Sequence, residues 1–170
     1  TVEDVSSSVL RLGKILQRPT RAAELSQQLV EGLSSPASSS TPSALAIMSG
    51  SDIEKGQIWY LRKDSLHGSA VEAAGFRNAA PSDISGPPSM SLESLISLNP
   101  DVILFVASDD VDEQTAQQMI ASMNKVPALT AVKKNQVVVI RGSNLLGVGP
   151  GILRLVTEIK QRHQQLFKDN

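Results

Sequence analysis

Six consecutive apolar residues, Val102-Ile103-Leu104-Phe105-Val106-Ala107, set the tightest limit on what this chain can become. The run is far too short to cross a bilayer, which takes about 20 residues as a helix. It is also too continuous for a strand with one wet face, and reads as a strand buried on both sides of a parallel sheet. Leu45-Ala46-Ile47-Met48 and Gln136 to Ile140 are two further short buried strands. Helical segments separate them. Ser65 to Ala74 predicts one, with Gly75 placed to end it in a left-handed cap. Ser91 is a good N-cap for Leu92 to Leu98, and Asn99-Pro100 stops that helix. Asp112 to Met123 and Pro127 to Lys133 follow. Pro150, at a first helical position, opens the last helix, with Ile152, Leu155, Val156, Ile159 and Leu166 as its buried stripe. The expected fold class is therefore α/β: a three-layer lobe with a mainly parallel sheet flanked by helices.

Before the first strand the pattern differs. Val2, Val5, Val9, Leu12 and Leu16 recur at the spacing of one helix face until Pro19 interrupts it. Thr20 can cap a second helix that buries Ala22, Leu25, Leu29 and Leu33. The residues that follow are almost all Ser, Pro, Thr and Ala, without an apolar face, and read as a flexible connector. These shifts divide the chain into two leading helices (residues 1–33), a connector (34–43) and an α/β lobe (44–170).

Composition removes several functions. The formal net charge is -1 and no block of like charge occurs, so nothing draws the chain onto nucleic acid or an anionic membrane. There is no cysteine, which excludes disulfides, thiolate metal sites, a Cys nucleophile and a lipid-modified Cys within these residues. No cofactor motif stands out. Gly147-Val148-Gly149-Pro150-Gly151 resembles a phosphate loop only loosely: the Gly-x-Gly-x-x-Gly spacing is unmet and Pro150 removes an N–H. Its expected role is a tight approach of backbone to a cleft rim. The opening directly on a helical pattern suggests a processed or cut chain.

Ser91-Leu92-Glu93-Ser94-Leu95-Ile96-Ser97-Leu98-Asn99-Pro100-Asp101-Val102-Ile103-Leu104 resembles a recurrent segment of the helix-spined periplasmic solute-binding proteins of ABC importers for siderophores, haem and cobalamin. Other landmarks fall in that family's order: Arg11-Leu12-Gly13, Glu72-Ala73-Ala74-Gly75 with Asn78, Val126 to Val137, Gly149-Pro150 and His163. Three features depart from it. Gly151 stands where an Arg often follows Gly-Pro, Phe76 replaces a common second Gly, and Ala79 to Pro88 matches nothing in the family.

The resemblance implies one lobe of a two-lobed, monomeric, extracytoplasmic binding protein, led by its long spine helix, with the N-terminal lobe absent from this chain. The implied ligand is an iron chelate, haem or cobalamin, and the implied partner is a membrane permease. Glu93 is the residue that would dock on permease arginines, and an exposed first helical turn suits a carboxylate.

For the ligand, Trp59, Tyr60 and Arg62 follow a strand, where loops line the crevice of an α/β sheet. Aromatic faces and a guanidinium suit a bulky, often anionic chelate. Trp59 fits equally as a small core under its loop. Arg141, just past the third strand, is a second basic candidate. Asp64 and His67 have the spacing of neighbours on one helical turn, but two ligands do not make a metal site. His163 lies beside the last helix's apolar stripe and reads as structural. Two other classes stay open: a Rossmann-like enzyme or cofactor domain, and a ligand-free interaction module. Against the enzyme, there is no nucleophile–base pair and no paired carboxylates at catalytic spacing.

Overall fold

The computed structural model describes residues 1–34, 41–82 and 86–167. Most of the expected connector and the middle of the Ala79 to Pro88 loop lie outside them. Two helices lead the chain, α1 (Val2–Ile15) and α2 (Pro19–Leu33). The turn between them is made by Gln17 at a φ of 55°. Pro19 does not merely interrupt the pattern; it opens α2 with Arg18 as N-cap, so Thr20 sits inside the helix and caps nothing. Gly13 lets the pair close, since a Cβ there would lie 2.1 Å from that of Ala22. A bond of 2.6 Å between the Ser6 and Ser26 hydroxyls also joins them.

The lobe then runs β1 (Ser43–Met48), β2 (Ile58–Trp59), α3 (Leu66–Ala73), β3 (Arg77–Asn78), β4 (Ser89–Met90), α4 (Leu92–Leu98) and β5 (Val102–Ala107). After these come α5 (Glu113–Asn124), α6 (Thr130–Lys133), β6 (Val137–Arg141) and α7 (Ile152–Phe167). The main sheet has the order β3-β1-β5-β6 with every pair parallel. A small antiparallel pair, β2 with β4, was not foreseen; it holds Ile58 against Met90. Two-residue strands carry too little pattern to be recognised in a sequence.

Alternation along β5 explains why its whole run is apolar. Val102, Leu104 and Val106 enter a core under α2, α3 and α7 with Leu29, Phe76, Leu155 and Ile159. Ile103, Phe105 and Ala107 enter a second core with Leu95, Met123 and Leu129. Both faces are covered, as the continuous run requires.

The Asn99-Pro100-Asp101 turn between them has a physical role at each polar residue. Asn99 ends α4 in the left-handed conformation at φ 45°, and its side-chain oxygen accepts from the Thr130 amide at 2.8 Å. Asp101 accepts from the Ser43 amide at 3.0 Å and hydroxyl at 2.7 Å, tying the start of β1 to the start of β5.

The leading helix departs from expectation at its far end. Val2 and Val5 pack on the first core, but Leu12 is 54 % exposed and Leu16 68 %. With Ile15 at 70 %, they form an apolar strip beside Leu25 and Pro150. The 3.6-residue period gave the helix correctly, but its stripe is wider than the surface α2 and the lobe cover.

Candidate functional site

All main-sheet strands point the same way, so the carboxyl ends of β1, β5 and β6 open on one side. Ser49-Gly50-Ser51, Ser108-Asp109-Asp110 and Gly142-Ser143-Asn144 leave the sheet there. In an open α/β sheet this edge is where ligands bind. Its polar groups are already organised. Ser143 donates its hydroxyl to Asp109, and Ser108 donates to Asp110. The Ser143 bond holds the Asp109 carboxyl below its ordinary range. Alongside β6 runs a cavity of about 320 Å³ lined by Asp109, Arg141, Ser143, Arg154, Glu158 and Arg162. Sequence reasoning missed Asp109, Ser143, Arg154 and Arg162. The first two were findable as polar residues one or two places beyond a strand; the arginines of α7 carried no such signal.

The expected ligand residues divide. Trp59 is 37 % exposed on β2, with its backbone bonded both ways to the Ser51 hydroxyl. It borders a hollow of about 290 Å³ with Gly56, Ser89 and Ser91. Tyr60, the next residue, points inward and is 1 % exposed, packed with Ile47 and Leu95 in the second core. A direct ligand contact from Tyr60 is therefore corrected to a core position: neighbouring strand residues face opposite ways. Its hydroxyl is buried without a hydrogen-bond partner, and burial pushes its pKa up.

Arg62 is half-buried and donates to the Gly86 carbonyl, bracing the loop before β4. Arg141 ends β6, two strands from β1. It donates to the Val111 carbonyl at 3.1 Å and pairs with Glu113 at 2.5 Å. Arg62 and Arg141 thus do not form one basic pair.

Glu93 is exposed on the first turn of α4, two residues beyond the N-cap Ser91, whose side chain accepts from the Ser94 amide at 3.3 Å. A hydrogen bond from Ser91 holds the Glu93 carboxyl below its ordinary value, so it stays ionised at neutral pH. Ser91, the cap of the helix that carries Glu93, also borders the Trp59 hollow.

Asp64 is exposed whereas His67 is buried on the first turn of α3. No group of His, Cys, Asp and Glu among the described residues is placed to hold a metal. The glycines before α7 correct another expectation. A Cβ on Gly147 would lie 3.2 Å from the Asn144 carbonyl, but Gly149 and Gly151 face open space, so neither marks a close approach. Among the described residues, no helix is long and apolar enough to cross a membrane.

Comparison with known proteins gives this arrangement a family. Residues 1–143 match the family described as Periplasmic binding protein. A search of curated protein sequences found no match. Among solved structures, an ABC-type Fe3+-hydroxamate transport system protein from Saccharomonospora viridis is 23% identical, with a TM-score of 0.72 over 96% of this chain and 56% of its own. An ABC transporter substrate-binding protein from Listeria monocytogenes is also 23% identical, at TM-score 0.70 over 100% of this chain and 66% of its own. A periplasmic heme binding protein from Pseudomonas aeruginosa is 21% identical, at 0.68 over 99% and 61%. The chain spans less than two thirds of the length of each of these proteins. With a match over residues 1–143 and a parallel sheet under helices on both faces, the chain belongs to the periplasmic binding protein family.

Proposed function

We propose that this chain is one lobe, with its leading helices, of an extracytoplasmic solute-binding protein that serves an ABC importer. Its ligand class is an iron chelate, haem or cobalamin. The family match over residues 1–143 carries this reading. The crevice edge supports it, because polar groups gather at the carboxyl ends of three parallel strands. No bond needs to be made or broken. The lobe contributes half a crevice, and closure against a second lobe selects ligand by shape and charge. On the crevice side the working groups are the exposed face of Trp59, the guanidiniums of Arg62 and Arg141, and the Asp109–Ser143 pair. Tyr60 acts from behind by fixing the backbone that carries Trp59 and Arg62.

Glu93 is the proposed permease contact. Its carboxylate is exposed, ionised and held by a short rigid helix, the arrangement a charge-paired docking point needs. Fluorescence of Trp59, the one tryptophan of this chain, offers a direct test in the full-length protein once any tryptophan outside these residues is replaced by Phe. Titration with ferric siderophores, haem and cobalamin is expected to quench or shift it for one of these classes, and silence across all three contradicts the ligand assignment. Glu93→Arg is expected to leave that titration unchanged and to cut uptake at least about tenfold, the effect of reversing one rim charge pair. Unchanged uptake removes Glu93 from the docking surface.

A further inference from the structure

The chain has two histidines, and both are turned into the layer of α3 and α7. His67 lies on the first turn of α3 and is 8 % exposed. Its ring faces the backbone of Leu145 and Leu146 in the loop between β6 and α7, and its Nε2 is buried without a hydrogen-bond partner. His163 lies on α7 against the other end of α3. Its ring stands edge-on to Phe76 at 4.6 Å and 76°, and near Phe167 at 5.0 Å. The site a Cβ on Gly75 would take is 3.9 Å from its Nε2, which is also buried and unpartnered. One imidazole thus sits at each end of α3, and each has a buried Nε2 that no hydrogen bond engages.

We propose that His67 and His163 make α3 an acid-released clamp: protonation of either ring puts an N–H on a buried Nε2 that no hydrogen bond engages and frees the end of α3 that the ring holds. His67 is buried and His163 half-buried with its Nε2 enclosed, so the uncharged ring is the form the packing accepts, since burying an unpaired cation is far more costly than burying a neutral imidazole. Burial lowers the His67 pKa against the opposing pull of the Leu146 and Leu145 carbonyls, and burial alone lowers that of His163. No charged side chain contributes at either ring: neither Asp64 nor Glu72 flanking α3, nor Glu31 on α2, nor Arg154, Glu158 or Arg162 on α7.

The sign follows. Both folded-state values lie below the ordinary 6.5, so the unfolded chain binds protons first. The stabilisation is complete above that value and is lost as pH falls below it toward the folded values. What loosens on the His67 side is the 142–151 loop, which carries Ser143 of the crevice edge. That consequence for ligand rests on the solute-binding reading; the clamp itself does not.

A ring-proton NMR titration of this chain reads both histidines directly, without any ligand. Both are expected to titrate below the free-histidine value. The protection of α3 amides, corrected for intrinsic exchange, is expected to hold above about pH 6.5 and to fall from there toward about pH 5, a window above that of the carboxylates. His163→Phe, which suits the aromatic cluster, and His67→Gln are each expected to remove part of that fall. If a variant does not fold, the titration of the unaltered chain decides. Either ring titrating at or above the free value, or protection that stays flat across the window, overturns the clamp. Failure of all ligand titrations leaves it standing.

Discussion

At the scale of single residues, the tightest constraint falls on a glycine that its own segment does not explain. Gly68 sits in the first turn of α3, where any good helix former fits the local pattern. A Cβ there would lie 2.1 Å from the Lys63 carbonyl oxygen and 2.4 Å from that of Arg62. Both are backbone atoms and cannot swing away. Gly68→Ala is therefore expected to destabilise the fold by about 2–4 kcal/mol, against the gain of about 1 kcal/mol it would bring in an open helix. The midpoint of urea unfolding checks it, and an unchanged midpoint contradicts the crowding. Trp59 and Tyr60 show a related limit. Sequence placed both aromatics after a strand, and alternation demanded that one go in and one go out. Which one depends on the bridge between Ile47 and Tyr60, a contact between segments that no local pattern contains.

At the scale of elements, what sequence conveyed well was whatever could be decided within one segment. Ser91 caps α4 as expected, accepting from the Ser94 amide, and Gly75 takes φ 95° as its place after α3 required; Ser65 and Asp112, expected as the first residues of helices, stand instead as their caps, accepting from the Gly68 and Thr115 amides. The strands β1, β5 and β6 declared themselves by continuous apolar runs. Short strands β2, β3 and β4 did not, because they exist only through their partners.

The Ser43–Asp101 tie joins elements 58 residues apart and makes a pH prediction. Burial raises the Asp101 carboxyl, but the Ser43 amide and hydroxyl, with Lys134 beside them, outweigh it and hold it below 3.8. The stabilisation is therefore present above 3.8 and is lost as pH falls toward the folded value. Asp101→Ala is expected to cost about 1–2 kcal/mol at neutral pH and much less near pH 2, discounted for a side chain about a third exposed. Thermal unfolding of both forms at the two pH values tests this; an equal difference at both contradicts it.

At the scale of the whole molecule, one sheet separates two cores, and β5 is buried on both faces. Leu104→Ala is expected to cost about 2–5 kcal/mol, because neighbours under α2, α3 and α7 cannot collapse onto a central strand. Denaturant unfolding followed by circular dichroism measures it, and a loss under about 1 kcal/mol speaks against a tightly packed layer. The fold class was legible at this scale because alternating strands and helices permit few topologies. The site was less so. Its polar members lie on three loops far apart in sequence, and the proposed reading assigns the other half of the crevice to a second lobe. Titration of this chain with haem or a ferric siderophore is accordingly expected to give binding weaker than about 1 µM, since ligand left wet on one side forgoes much of its burial. Tighter binding shows that one lobe suffices.

The apolar strip of Leu12, Ile15 and Leu16 bears on how this chain behaves in solution. Three large side chains, each more than half exposed, stand together at one corner, beside the apolar surface of Leu25 and Pro150. Water gains by their withdrawal, and a second copy offers the same strip. Concentrated samples should therefore associate reversibly, more in sulfate than in urea. Leu16→Lys, a change at the solvent face, should hold them apart without touching the sheet.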